Sequence, residues 1–274
     1  LQDALGLSLD EARTLKGVYN KALTLYNLPA SFMVPLTASV IPHVSAALKV
    51  KRRRQAAQIS ETALRTTALL AIPAGVGLFV LGEPIMRLLF STTAEVELAG
   101  WMLSVLGIAS IAVCFMLVSN SIMQAHKLVT LPMATTLIGC ILKLIVGYFL
   151  IGNPDINIRG GAISTLACFG IITLLDLVII KLALPRSLSY ARVFAKPAAA
   201  AAAMGATAWA VNGLTGQLLK WIDSLLKREV PLFLAVGEDG ALLLDQAGKA
   251  MLSWKGNALA VTAAIGVAAI VYFA

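Results

Sequence analysis

Charge is the first thing this chain is short of. Asp, Glu, Lys and Arg supply 13% of its 274 residues, where soluble domains carry roughly 25%. So few charges cannot cover a soluble surface, and the 59% of hydrophobic residues exceeds the roughly 45–50% of globular chains. The composition therefore excludes a soluble domain and indicates a multi-pass membrane protein. Cysteine is also sparse. Cys114, Cys140 and Cys168 each lie inside an apolar run without paired spacing, which argues against a disulfide framework or a metal site; they read as small packing residues. Histidine occurs only at His43 and His126, with no third ligand or partner acid nearby, so both read as loop residues and neither a cofactor nor a metal is expected. The chain opens at Leu1 without an initiator methionine or a signal-peptide pattern and stops at Ala274 in an apolar run. It reads as a piece of a longer chain.

What is present is apolar length. Spans are expected near 17–48, 62–81, 98–118, 128–151, 160–182, 197–214 and 257–274, about seven in all. Ser8 and Asp10-Glu11 are candidate caps for the first. The net charge of +8 does not indicate nucleic acid, because the cations cluster between the spans as the positive-inside rule requires. Lys49–Arg54 (KVKRRR) holds five cations in six residues and reads as a solvated cytoplasmic loop touching anionic lipid head groups. Lys127 and Arg186–Lys196 then fall inside as well, while Glu95–Glu97, Asp155 and the 216–256 segment fall outside. That last segment balances five cations against five acids and reads as an amphipathic external loop, with Trp221 and Trp254 as interface anchors.

Within the spans a few residues break the apolar pattern. Between Leu128 and Ile151 the only formal charge is Lys143, in a segment longer than the roughly 20 residues a bilayer requires. A charge there is costly and marks a cavity or pathway by default. The competing reading is a snorkelling side chain, although the eight residues to Ile151 amount to about 12 Å, against a reach of ~6 Å. The first span holds Pro29, Pro35 and Pro42, which are expected to kink it as in transporter helices bordering a substrate site. Lys21 and Asn20, in the outer third of that span, are either cavity residues or interfacial anchors. Asn120 and Gln124 line either a cavity mouth or a wet helix end. Asp176, about six residues from a cytoplasmic end, fits interfacial hydration or a proton or sodium site. Gly160-Gly161-Ala162 and Ser164 are small enough to bring their helix close to the Lys143 helix, which carries Gly139 and Gly147.

A family resemblance rests on particular blocks. Asn120-Ser121…Gln124, a basic turn, Leu131-Pro132, Ile138-Gly139, Leu142-Lys143-Leu144 and Asn157-Ile158-Arg159-Gly160-Gly161-Ala162 follow one another. Leu25-Tyr26-Asn27-Leu28-Pro29 through Ile41-Pro42, and Ile72-Pro73-Ala74-Gly75-Val76-Gly77 through Leu89-Phe90, lie upstream. In this order they resemble the polysaccharide-biosynthesis flippases, within them most closely the stage V sporulation protein B branch. These are relatives of the lipid II flippase in the multidrug/oligosaccharidyl-lipid/polysaccharide exporter superfamily. Where members usually show Gly-Leu-Gly-Arg-Pro-like residues, this chain has Ala125-His126-Lys127. The blocks cover roughly 13–182, so the chain divides into a family-matching part, 1–182, and a C-terminal part, 183–274, with two further spans.

The resemblance implies an all-α membrane protein of fourteen helices in two lobes, of which this chain holds the second; the N-terminal lobe would be the missing partner. It implies a bacterial cytoplasmic-membrane transporter that flips a lipid-linked sugar of the polyprenyl pyrophosphate type by alternating access. Two alternatives stay open, a cation-coupled drug antiporter of the same superfamily and a scaffold for cell-envelope or spore-wall assembly. An enzyme is not expected. The only acid cluster, Glu238, Asp239 and Asp245, has no histidine beside it, and a solvated loop explains it.

Overall fold

In the computed structural model, residues 9–90, 94–152, 156, 158–183, 190–226 and 252–273 are described. They form seven helices: α1 (Leu9–Lys49), α2 (Arg53–Phe90), α3 (Ala94–Ala125), α4 (Thr130–Ile151), α5 (Arg159–Ala183), α6 (Tyr190–Leu226) and α7 (Trp254–Phe273). The protein is an all-α, multi-pass membrane protein, as its composition indicates. Ser8, Asp155, Arg186, Glu238, Asp239 and Asp245, assigned above to a cap or to loops, and Asn157 of the motif blocks lie outside the described residues.

Helix α3 is the hub, packing against α1, α2 and α5, while α4 rests mainly on α5, and α6 and α7 pair and lean on α2. The reason α3 can sit so deep is its lack of charge after Glu97 and its small residues. A Cβ on Gly107 would lie 2.8 Å from the Gly75 carbonyl oxygen, so these two glycines let α2 and α3 touch backbone to backbone. Two main apolar clusters result. One gathers Val44, Leu64, Val118, Ile122 and Ile180 towards the end carrying Lys49–Arg54, called here the basic end. The other gathers Val18, Tyr26, Met86, Leu103 and Ala162 towards the opposite end.

Six helices are long and apolar enough to cross a membrane, and α6 is not among them. Its 37 residues would extend about 55 Å, but Lys196, Pro197, Gly205, Thr207, Asn212 and Gln217 dilute its apolar runs. The helix extends well beyond the expected 197–214, and the 216–256 segment is correspondingly not a loop throughout. Gly216 and Leu219 are buried, continuing the three- and four-residue spacing of Val193, Ala201, Met204 and Ala208, so the helix runs on to Leu226. Residues 227–251 are outside the described set. The basic loop is likewise shorter than expected, since Lys49 ends α1 and Arg53 opens α2, with Lys51 in a left-handed turn (φ 57°) between them. Helix α1 runs unbroken through Pro29, Pro35 and Pro42. Each proline removes one donor, which leaves the carbonyls of Leu25, Ser31 and Ala38 without their usual helical partner.

Candidate functional site

Helix α4 is apolar on its outer face, where Leu137, Ile141, Leu144 and Tyr148 are exposed. Its other face holds Pro132, Thr135, Gly139 and Gly147, all buried. Successive residues turn by about 100°, and Lys143 falls on this second face, between the two glycines. The expected close approach of α4 and α5 is present: a Cβ on Gly139 would collide with Ile172, and one on Gly147 would rest 3.7 Å from Ser164 Oγ. Lys143 therefore points inward along α5. Its Nζ lies 5.9 Å from the centre of the Phe169 ring, within the range of a cation–π contact.

The ammonium opens onto a cleft of about 1070 Å³ lined by Tyr19, Cys140, Lys143, Leu144, Gly147, Tyr148, Gly161 and Ser164. Tyr19 brings α1 to its edge. The Tyr19 hydroxyl lies 3.1 Å from Thr165 Oγ1 and 3.4 Å from the Gly161 carbonyl, to which it donates. The lining is mostly apolar, and among the described residues Lys143 is its only formally charged side chain.

Helix α1 adds a second feature. Val18, Ala22, Tyr26, Met33, Val40 and Val44 are buried on one side. At about 100° per residue, Asn20, Thr24, Asn27, Ser31, Ala38 and Pro42, all exposed, form a stripe on the side opposite. Thr24 donates to the Asn20 carbonyl at 3.0 Å and Ser31 to the Asn27 carbonyl at 3.1 Å. The proline-freed carbonyls of Ser31 and Ala38 lie along the same stripe. Polar side chains thus line α1 from Asn20 to Ser31 on the face turned away from the other helices, and the freed carbonyls carry the track on to Ala38. Bare in lipid, such a track is unfavourable.

The expected site residues do not converge on one cavity. Lys143 lines the cleft and Asn20 lies on the polar track. Lys21 sits on the flank of α1 with its Nζ 5.5 Å from the Phe90 ring, and is not part of the cleft lining. Asn120 and Gln124 are at the basic end. Asn120 Oδ1 is buried without a hydrogen-bond partner, whereas Gln124 is exposed. Asp176 is fully buried, at 0% exposure, with its Oδ1 in a 2.7 Å hydrogen-bond contact with Thr135 Oγ1. Interfacial hydration, one of its two readings, does not describe it. Tyr19, Thr24, Ser31, Thr135 and Phe169 were not expected. The i, i+4, i+7, i+11 spacing of Asn20, Thr24, Asn27 and Ser31 is the signal that could have found the track, whereas the pairings across helices have no signature in a single sequence.

The family model described as the lipid II flippase MurJ matches residues 14–227, which takes in the whole of this cleft and track. The chain belongs to the lipid II flippase family. It is 26% identical over 173 residues to the uncharacterized membrane protein YabM of Bacillus subtilis strain 168, covering 63% of this chain and 31% of that one. To stage V sporulation protein B of the same organism it is 25% identical over 177 residues, covering 64% and 33%. The chain thus spans about a third of the length of these relatives. For this lipid II flippase-family chain the match extends through α6, beyond the 182 residues that the motif blocks reach. At the turn between α3 and α4, Lys127 is left-handed (φ 63°), the conformation that a glycine of the usual family pattern adopts without strain.

Proposed function

We propose that this chain forms one wall of a flippase for a lipid-linked sugar, with Lys143 as the group that attracts the substrate's pyrophosphate. The observation that carries the reading is the direction of Lys143. It lies on the α5-facing side of α4, over Phe169, in a cleft with apolar walls and, among the described residues, no acid. At 4 Å and an effective dielectric constant of 20, one unit-charge attraction amounts to about 4 kcal/mol, against about 1 in water. A fixed ammonium in a shielded cleft therefore favours an anionic cargo strongly. The apolar walls suit the chain of a polyprenyl lipid, and the α1 track supplies the polar groups that a sugar requires along its path. Alternating access would rock this lobe against a second one, whose place is beside the otherwise bare track. A cation-coupled drug antiporter would prefer acids in the cleft, and a scaffold would need no charge there at all.

Reconstituted transport of a polyprenyl pyrophosphate-linked sugar, at matched protein levels, tests the reading. Lys143→Gln is expected to assemble and lose transport by at least about tenfold, since the loss of more than about 1.4 kcal/mol corresponds to that factor. Lys143→Arg keeps part of the activity, because the guanidinium retains charge with a different shape. A fully active Lys143→Leu protein would eliminate the proposed role.

A further inference from the structure

The contact between Thr135 and Asp176 joins α4 to α5 two helical turns from Lys143. Thr135 Oγ1 lies 2.7 Å from Asp176 Oδ1 and also 3.1 Å from the Pro132 carbonyl oxygen. A hydroxyl has one hydrogen. If Asp176 is ionised, that hydrogen must serve either the carboxylate or the carbonyl, and Asp176 Oδ2, buried without any hydrogen-bond partner, remains a bare charged oxygen. If the acid carries a proton on Oδ1, it donates to Thr135 Oγ1 and Thr135 donates to Pro132. Both short contacts are then full hydrogen bonds, and Oδ2 is an ordinary carbonyl oxygen whose burial costs far less than that of a charge.

Among the described residues the surroundings offer no counter-charge. Helix α5 packs against α3 and α4. On α4 the titratable groups are Cys140 and Lys143, the latter eight residues and about 12 Å from Thr135 along the axis, its ammonium directed over Phe169. On α3 they are Glu95 and Glu97, in the first turn at the far end, and Cys114, near the Ala112 carbonyl that Thr173 bonds at 2.7 Å; His126 follows the helix. Tyr19 of α1 meets α5 at Gly161 and Thr165, three turns away. On α5 itself, Arg159 and Lys181 are exposed and Cys168 is two turns back. The ion pairs among the described residues are Arg13–Asp10 and Arg87–Glu83. Two carboxylate oxygens and one hydroxyl are also too few for a hard cation, which takes about six oxygens or more.

We propose that Asp176 is a proton-binding site, held as the neutral acid by Thr135 while α4 lies on α5 and ionised when α4 swings away and admits water. Proton uptake would then accompany closure of the helix that carries Lys143, so that the cleft and the proton site move together. The link to transport rests on the flippase reading above; the proton site does not.

Infrared difference spectra of the purified protein in lipid nanodiscs at pH 7 test the site without any transport. The expected result is one protonated-carboxyl absorption that is lost in Asp176→Asn and shifted in frequency in Thr135→Val. If wild type and Asp176→Asn show no difference in that region, Asp176 is ionised and the proposal falls. It falls equally if sodium chloride abolishes the absorption and potassium chloride does not, since the site then holds a metal cation. In vesicles, flipping by the wild type is expected to respond to an imposed pH gradient, and the response to vanish in Asp176→Asn. An unchanged response in Asp176→Asn removes the coupling and leaves the flippase reading standing. Absence of any flipping by the wild type removes that reading, and the coupling with it, while the infrared result still decides the proton site.

Discussion

Lys127 and Lys51 are the two non-glycine residues with positive φ among the described residues, at 63° and 57°. A side chain in this region costs roughly 1–2 kcal/mol because Cβ crowds the following carbonyl. Glycine removes the crowding and adds some freedom to the unfolded chain, so the net gain from Lys127→Gly is expected to be about 0.5–1 kcal/mol. Thermal melting in detergent should rise by a few degrees; an unchanged or lower midpoint would show that Lys127 makes a compensating contact. His126, one residue earlier, has its Nε2 buried without a partner, and burial pushes the imidazole below its ordinary 6.5. The folded turn therefore accepts a proton less readily than the unfolded chain. Stability is complete above about pH 6.5 and falls as the pH drops from there towards the lower folded value. His126→Gln should flatten this acid limb of a melting-versus-pH curve, and a limb of unchanged slope would place its cause elsewhere. At this scale the site is only partly legible in the sequence. Lys143 could be singled out because a lone charge in an apolar span is conspicuous in one dimension. Tyr19 and Thr135 could not, because a hydroxyl in a helix bonds its own turn as readily as a neighbouring helix, and only the fold decides.

The elements were more legible than their ends. An apolar run long enough to cross a bilayer announces itself, so every expected span corresponds to a helix. Their ends did not, because a helix continues into polar sequence as long as its packed face does. Gly216 looks like a stop, yet it is buried and α6 passes through it. Close helix packing was partly readable from small residues, as at Gly139 and Gly147, but the backbone-to-backbone approach of Gly75 and Gly107 required the fold. That approach yields a prediction. An added Cβ at Gly107 would meet the Gly75 oxygen and the Phe79 nitrogen, both at 2.8 Å, and backbone atoms cannot rotate away as a side chain can. Gly107→Ala should cost about 1–3 kcal/mol through overpacking. Gly77, on α2 two residues after Gly75, has nothing within 4 Å of an added Cβ, so Gly77→Ala should be neutral or gain up to about 1 kcal/mol from helix propensity. Equal melting points for the two variants would mean that α2 and α3 yield more easily than their spacing implies.

At the level of the whole molecule, the polar track of α1 constrains what surrounds the lobe. Its position opposite the packed face follows from the spacing of Val18, Ala22, Tyr26 and Met33 on one side and Asn20, Thr24, Asn27 and Ser31 on the other. The outer face of α4 is different in kind, with Leu137 and Ile141 exposed and no polar neighbours in register. One surface suits water and the other lipid. Single cysteines distinguish them in a background where Cys114, Cys140 and Cys168 are replaced by alanine, because the reactive thiolate forms only where water reaches the sulfur. Cysteines at Thr24, Asn27 and Ser31 are expected to react with a charged, membrane-impermeant thiol reagent in intact membranes, and cysteines at Leu137 and Ile141 to react at least about tenfold more slowly, since charged reagents are excluded from the hydrocarbon. Excess lipid-linked sugar should protect the first set and leave the second unchanged. If Thr24, Asn27 and Ser31 react no faster than the α4 positions, the track is buried in lipid or protein, and α1 cannot form a wall of a water-filled path.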